Sequence, residues 1–251
     1  MRGRDMSGEP GSVDAEEIAR FDALAATWWD ERGPMGVLHR FNPVRLAYIR
    51  DAACLRFERN PARPFPLDGL SIVDVGCGGG VLSEPLARLG ASVTGLDPAR
   101  GNIAAARVHA AREGVSVDYR EQTIETVVAA GERFDIVLIM EVIEHVNDMP
   151  AFVRTACAAV KPGGLLFAAT LNRTMRSFAL AIVGAEYVLG WLPRGTHDWD
   201  KFVTPRELGD ALDAGGLCVS DTTGVVLDPL RTGWRRSRDT AVNYMLVAER
   251  D

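Results

Sequence analysis

The chain has 251 residues, 47% of them hydrophobic and 25% charged, enough for one α/β domain with a full core and a modest insertion. Lysine and arginine number 28 against 34 aspartate and glutamate, and the resulting formal charge of −6 argues against nucleic acid as a partner, because phosphate contacts need a basic surface. The four cysteines, Cys54, Cys77, Cys157 and Cys218, form no CxxC pair and suit a reducing compartment without a zinc site.

Residues 1–13 read as a disordered tail, with no apolar core segment of the kind a signal or transit peptide needs. No apolar run reaches the ~20 residues that span a bilayer, so a cytoplasmic protein is expected. A single domain is expected over 14–251. Within it, Asp14 to Asp30 sets Ile18, Phe21, Leu24, Ala25 and Trp28 at helical spacing, an amphipathic first helix. Asn42-Pro43 reads as an N-cap followed by proline at the first helical position, opening a second helix through Val44, Ala47, Tyr48 and Ile49. These N-terminal helices fill 14–66 and end in the connector PARPFP.

Strands and helices then alternate, with strands near Ile72, Ala91, Val115, Phe134 and Leu165. The pattern implies a mostly parallel sheet with helices on both faces. Thr204-Pro205-Arg206-Glu207 is a capping box that opens a helix to Ala214, and Cys218 to Val226 and Val242 to Ala248 supply the closing strands of a seven-stranded sheet. The basic run Arg235, Arg236 and Arg238 between them reads as a solvated loop, or as a contact for anionic headgroups.

Such sheets bind ligands beyond the carboxyl ends of their strands. After the first strand comes Asp74-Val75-Gly76-Cys77-Gly78-Gly79-Gly80, a turn over which a backbone can approach a ligand closely. After the second comes Asp97, placed to accept from the hydroxyls of a ribose. A dinucleotide site would want glycine or alanine where Val81 stands, which disfavours a dehydrogenase. The acid-headed G-x-G-x-G turn instead resembles the first motif of the Rossmann-like S-adenosylmethionine (SAM) methyltransferases.

The fourth strand, Phe134 to Met140, runs straight into Glu141-Val142-Ile143-Glu144-His145. If a helical turn starts there, Glu141, Glu144 and His145 share one face and could hold a divalent metal or remove a proton. Acids at a helix start are also favoured by the macrodipole alone, and a lone histidine is often structural. The fifth strand follows the turn Lys161-Pro162-Gly163-Gly164 and ends in Thr170-Leu171-Asn172. In the insertion 173–203, Phe178 to Leu192 carries one charge, Glu186, and is flanked by Arg173, Arg176 and Arg194. It is either a buried cap helix or a surface helix dipping into a lipid interface, and a lid that does both accommodates each feature.

From Gly195 the chain reads GTHDWDKF. With WWD at Trp28, LHRFNPVRLAYI from Leu38, DVGCGGG from Asp74, TGLD from Thr94, MEVIEHV from Met140, KPGG from Lys161, TLNRT from Thr170 and GAEY from Gly184, it resembles the ubiquinone-biosynthesis O-methyltransferases from about Ile18 to Tyr244. The resemblance implies a class I methyltransferase fold and SAM-dependent methylation of ring hydroxyls on 2-polyprenyl-6-hydroxyphenol and 3-demethylubiquinol. By motif position it implies Arg45, Gly76, Gly78, Asp97 and Met140 as SAM contacts, Arg45 pairing with the SAM carboxylate and Met140 packing on the adenine.

It also implies a divalent cation at Glu141, Glu144 and His145, magnesium foremost, although a histidine ligand would suit manganese or zinc as well. The implied partners are a polyprenylated phenol or quinol, the inner membrane by peripheral contact, and other ubiquinone-biosynthesis enzymes. His145 and His197 are the candidate bases for the phenol proton. His39 is a third, better read as structural beside Arg40. VVLDPLRTGWRRSRD departs from the family pattern at Leu227 and Asp228 before Pro229, which touches substrate contacts in that loop and not the fold. Methylation of another small hydroxylated aromatic and a non-catalytic SAM-binding scaffold are the alternative functions.

Overall fold

The computed structural model describes residues 18–19, 25–33, 35–178, 199–228 and 233–251. Five strands run parallel: β1 (Ser71–Val75), β2 (Ser92–Leu96), β3 (Asp118–Arg120), β4 (Phe134–Met140) and β5 (Val160–Leu171). Three antiparallel strands extend the far edge, β6 (Cys218–Asp228), β7 (Gly233–Ser237) and β8 (Asn243–Glu249). The order is β3-β2-β1-β4-β5-β8-β6-β7. The sheet therefore has eight strands where the sequence predicts seven.

The extra strand is β7, whose residues include the Arg235 and Arg236 that read as loop. Its strand character comes from tertiary partners: Trp234 packs on Phe41, ring centroids 4.0 Å apart, and Arg236 lies over the Tyr48 ring. The third strand also starts later than its apolar signal. Val115 belongs to the exit of the preceding helix, where its N–H donates to Ala110 O next to the left-handed Gly114.

The helices are α1 (Gly36–Arg56), α2 (Ser83–Arg88), α3 (Arg100–Glu113), α4 (Ile124–Ala129), α5 (Met149–Ala158) and α6 (Pro205–Ala214). The capping box at Thr204 forms as the sequence predicts, with Glu207 Oε2 accepting from Thr204 N–H at 2.9 Å. The start predicted at Asn42 is wrong. α1 begins at Gly36, carries Pro43 inside it, and Asn42 donates its amide to Val81 O at 2.5 Å instead of capping. Packing outweighs the local signal: Met35 and Leu38, ahead of the proline, join Trp28 and Val81 in one apolar cluster. Of the helix predicted from Asp14 to Asp30, Ile18–Ala19 and 25–30 lie among the described residues; 25–27 form a 3-10 turn and Trp28 to Asp30 leave the helix for a turn. The segment 179–198, with most of the predicted cap helix and with His197, lies outside them.

The pleat sorts the core into two faces. Val73, Val75, Val137 and Ile139 pack under α4, α5 and α6, whereas Ile72, Ile136, Leu138 and Met140 pack under α1 and α2. Asp74 and Met140 consequently point to the α1 side. Among the described residues no helix is long and apolar enough to cross a membrane.

Candidate active site

β1 ends at Val75 and the chain turns at once through Gly76 and Gly78, both left-handed with φ of +70° and +53°. A side chain at Gly78 would collide with the Trp28 ring, and one at Gly76 would come within 2.8 Å of Val142. The turn is tied to the end of β2 at two levels. Gly76 and Cys77 donate their N–H groups to Leu96 O, and Gly78 N–H donates to Asp97 Oδ2 at 3.0 Å. Asp97 Oδ1 accepts from Ala99 N–H at 2.8 Å and from Asn102 Nδ2 at 3.2 Å. Asp97 is buried, so these donors offset the desolvation of its charge.

Gln122 sits alongside. Its N–H and that of Asp97 both donate to Arg120 O, and its buried Oε1 has no hydrogen-bond donor among the described residues. In sequence, Gln122 carries no signal beyond its place directly after a strand.

Beneath the turn, on the α1 side, Asp74 accepts from Ser83 Oγ–H at 2.5 Å. Burial pushes its carboxyl up to about 6 against the opposing influence of Ser83 and Arg45. Arg45, expected in the sequence as a cofactor contact, is buried and not a surface helix residue. Its Nη2 pairs with Glu141 Oε1 at 2.9 Å. Met140, the last residue of β4, is buried on the same face.

Glu141, Glu144 and His145 do not lie on one helical face. Glu141 adopts a left-handed backbone (φ +57°) before a 3-10 turn that begins only at Ile143. That kink sends the two carboxylates apart. Glu141 reaches Arg45 on the α1 side, while Glu144 accepts from Thr170 Oγ1 at 2.8 Å; Thr170 shares the face of Leu166 and Ala168, under α5 and α6. Glu144 is buried, and burial first, then the nearby charge of Glu141, raises its pKa. Among the described residues no three His, Cys, Asp or Glu side chains are gathered to hold a metal ion. As placed, the predicted trio does not fit a cation. His145 closes the 3-10 turn at the mouth, half-buried.

The remaining described histidines serve the segment bearing Trp28 and Trp29. His39 Nε2 lies 2.7 Å from Trp28 O, which supports its structural reading. His109, missed from sequence because a lone histidine on a helix carries no signal, stacks on Trp29 and sets Nδ1 2.8 Å from the buried Glu84 Oε1.

A family model described as a methyltransferase domain matches residues 45–221. The chain is 74% identical over 239 residues to a ubiquinone biosynthesis O-methyltransferase of Methylobacterium nodulans, covering 95% of this chain and 96% of that one. It is 54% identical to the protein of the same name from Brucella anthropi, again over 95% and 96%. Among solved structures it is similar to magnesium protoporphyrin IX methyltransferase from Synechocystis with bound S-adenosylhomocysteine (SAH), with a TM-score of 0.61 at 18% identity over 93% of this chain and 94% of that one. The structural likeness establishes the fold, including the expected class I methyltransferase architecture.

Proposed function

We propose, since the chain belongs to the ubiquinone biosynthesis O-methyltransferase family and is a SAM-dependent enzyme, that the carboxyl edge of β1, β2 and β4 delivers a methyl group to ring hydroxyls of 2-polyprenyl-6-hydroxyphenol and 3-demethylubiquinol. The observation that carries this reading is a buried acid and a buried cation flanking one glycine turn. Asp97 is held to Gly78 N–H, Arg45 lies on the α1 side, and the charge of Asp74 between them responds to both.

SAM supplies a methyl group already activated on a sulfonium, open to in-line displacement by oxygen. The residues supply placement and a proton acceptor. Asp97 accepts from the ribose hydroxyls, Gly76 and Gly78 let the chain approach the amino-acid end, Arg45 pairs with its carboxylate, and Met140 packs on the adenine. The unpartnered Gln122 Oε1 suits an amino donor beside Asp97. Holding the reacting oxygen in line supplies roughly 7–11 kcal/mol of the barrier. A phenol with a pKa of about 10 is mostly protonated at neutral pH, so a base has to favour the phenolate. His145 is the described candidate, and His197 is the second.

A divalent cation at Glu141, Glu144 and His145 requires Glu141 to leave Arg45 and Glu144 to turn from Thr170. A carboxylate arriving at Arg45 from the cofactor would permit the first of these moves.

The polyprenyl tail gives the apolar segment 178–192 its role. We infer peripheral contact with the inner membrane there, supported by the exposure of Met175 and Phe178 at its entrance; Arg173 and Arg176 beside it are paired with Glu207 and Asp239. Contact with other enzymes of the pathway belongs to the same reading.

The test is transfer of labelled methyl from SAM to a short-chain 3-demethylubiquinol and to a 2-polyprenyl-6-hydroxyphenol, with products identified by mass. One methyl added to each is expected. SAM binding without methylation of either acceptor would overturn the substrate assignment.

A further inference from the structure

Trp28 and Trp29 lie on a short segment ahead of α1, and both touch the glycine turn. The Trp28 ring covers the spaces where side chains at Gly78 and Gly79 would stand. Its Nε1–H donates to Asn102 Oδ1 at 2.7 Å, and the same Asn102 amide donates to Asp97 at 3.2 Å. Trp29 Nε1–H donates to Gly79 O at 3.0 Å. Its ring lies flat on His109, centroids 3.4 Å apart and planes 5° from parallel, and His109 is fixed by Glu84, a carboxylate only 2% exposed at the start of α2.

We propose that the segment bearing Trp28 and Trp29 is a clasp over the cofactor site, and that His109, anchored by Glu84, is the positioning residue that latches it. The contacts that hold the clasp include the indole of Trp28 on Asn102, the indole of Trp29 on Gly79, the His109 stack, and His39 on the Trp28 carbonyl. Asn102 links it to Asp97 through one side chain, so filling the hydroxyl site at Asp97 and closing the clasp reinforce each other. The apolar cluster of Trp28 with Met35 and Val81 is small beside the two main cores. A segment packed on a small satellite cluster can open without disturbing the main cores, as a cofactor entrance must. His109 touches neither cofactor nor acceptor and acts through Trp29.

This rests on the reading of Gly76–Asp97 as the SAM site, and the experiment separates the two. SAH is titrated calorimetrically into the full chain and into His109→Ala, with hydrogen exchange followed across residues 25–33 and 76–80. SAH is expected to slow exchange in both stretches of the native chain. In His109→Ala, SAH affinity should fall about tenfold, with protection lost at 25–33 and kept at 76–80, and kcat at saturating SAM should stay within about twofold. Trp28→Phe removes the Nε1–H donor together with part of the ring that covers Gly78; it leaves the buried Glu84 undisturbed and should weaken SAH at least about threefold. Native SAH affinity in both variants, or protection of 76–80 without 25–33 in the native chain, would overturn the clasp while leaving the cofactor site intact. Absence of SAH protection at 76–80 would overturn the cofactor reading itself.

Discussion

The two halves of the site's rim are built differently. At the ends of β1 and β2 the buried carboxylate is already fixed: Asp97 is held by Gly78, Ala99 and Asn102, in ordinary backbone apart from the glycines. At the end of β4 the same cannot be said. Glu141 is left-handed, a conformation costing roughly 1 kcal/mol for a residue with a side chain, and it occupies the cation expected to read the cofactor. Under the proposed cofactor site, the first half is preorganised for binding and the second would exchange partners when the cofactor arrives. Strain of this kind persists because surrounding structure enforces it, here the Glu141 N–H bond to Ala169 O and the pairing of Met140 with Ala169.

That contrast can be broken from either side. Asp97→Ala removes the centre of the fixed half. It should weaken SAH by about a thousandfold, about 4 kcal/mol, since truncating one partner of a buried, hydrogen-bonded charge costs roughly that much. Isothermal titration reads the loss directly.

Asp74 lies under both halves, and its titration sharpens the picture. The native chain keeps this proton up to about pH 6, whereas an unfolded chain releases it near 3.8. The native state therefore binds more protons between those values, and its stability falls as pH rises through the window. The fall is about 3 kcal/mol at the limit of full burial. Asp74→Asn can still accept from Ser83 and has no proton to lose. Its Tm relative to the native protein should become more favourable from pH 4 to pH 7, as scanning calorimetry would show; a pH-independent difference would mean that Asp74 is not desolvated.

On the exchanging side, Arg45→Met should raise the SAM KM about 30-fold, the value of one charge-assisted pair at about 2 kcal/mol, with a smaller change in kcat. Glu141→Gln should do the opposite in sign and less in size. A neutral partner competes less for Arg45, and SAH should bind about threefold more tightly, an effect of under 1 kcal/mol. Weaker SAH binding in Glu141→Gln would place Glu141 among the cofactor's contacts and remove the exchange.

Much of this architecture was legible in the chain. The glycine turn, Asp97 and the buried end of β4 follow from strand period and turn chemistry, because in parallel sheets those signals are local. Arg45 and Met140 came from motif resemblance, and the structure buries both at the rim. What could not be read depends on distant partners. The early start of α1 answers to Trp28 and Val81, β7 answers to Phe41 and Tyr48, and the parting of Glu141 from Glu144 hangs on a single left-handed residue that no helical wheel anticipates. His109 and Gln122 carry no pattern at all until the fold brings Trp29 and Asp97 beside them.

The central claim is that one rim holds the cofactor between a fixed acid and an exchangeable cation, and a structure of the full chain with SAH bound tests it most directly. The ribose is expected on Asp97, the adenine against Met140, and the SAH carboxylate on Arg45 with Glu141 displaced. SAH bound with Arg45 still paired to Glu141, or bound away from Asp97, would contradict it.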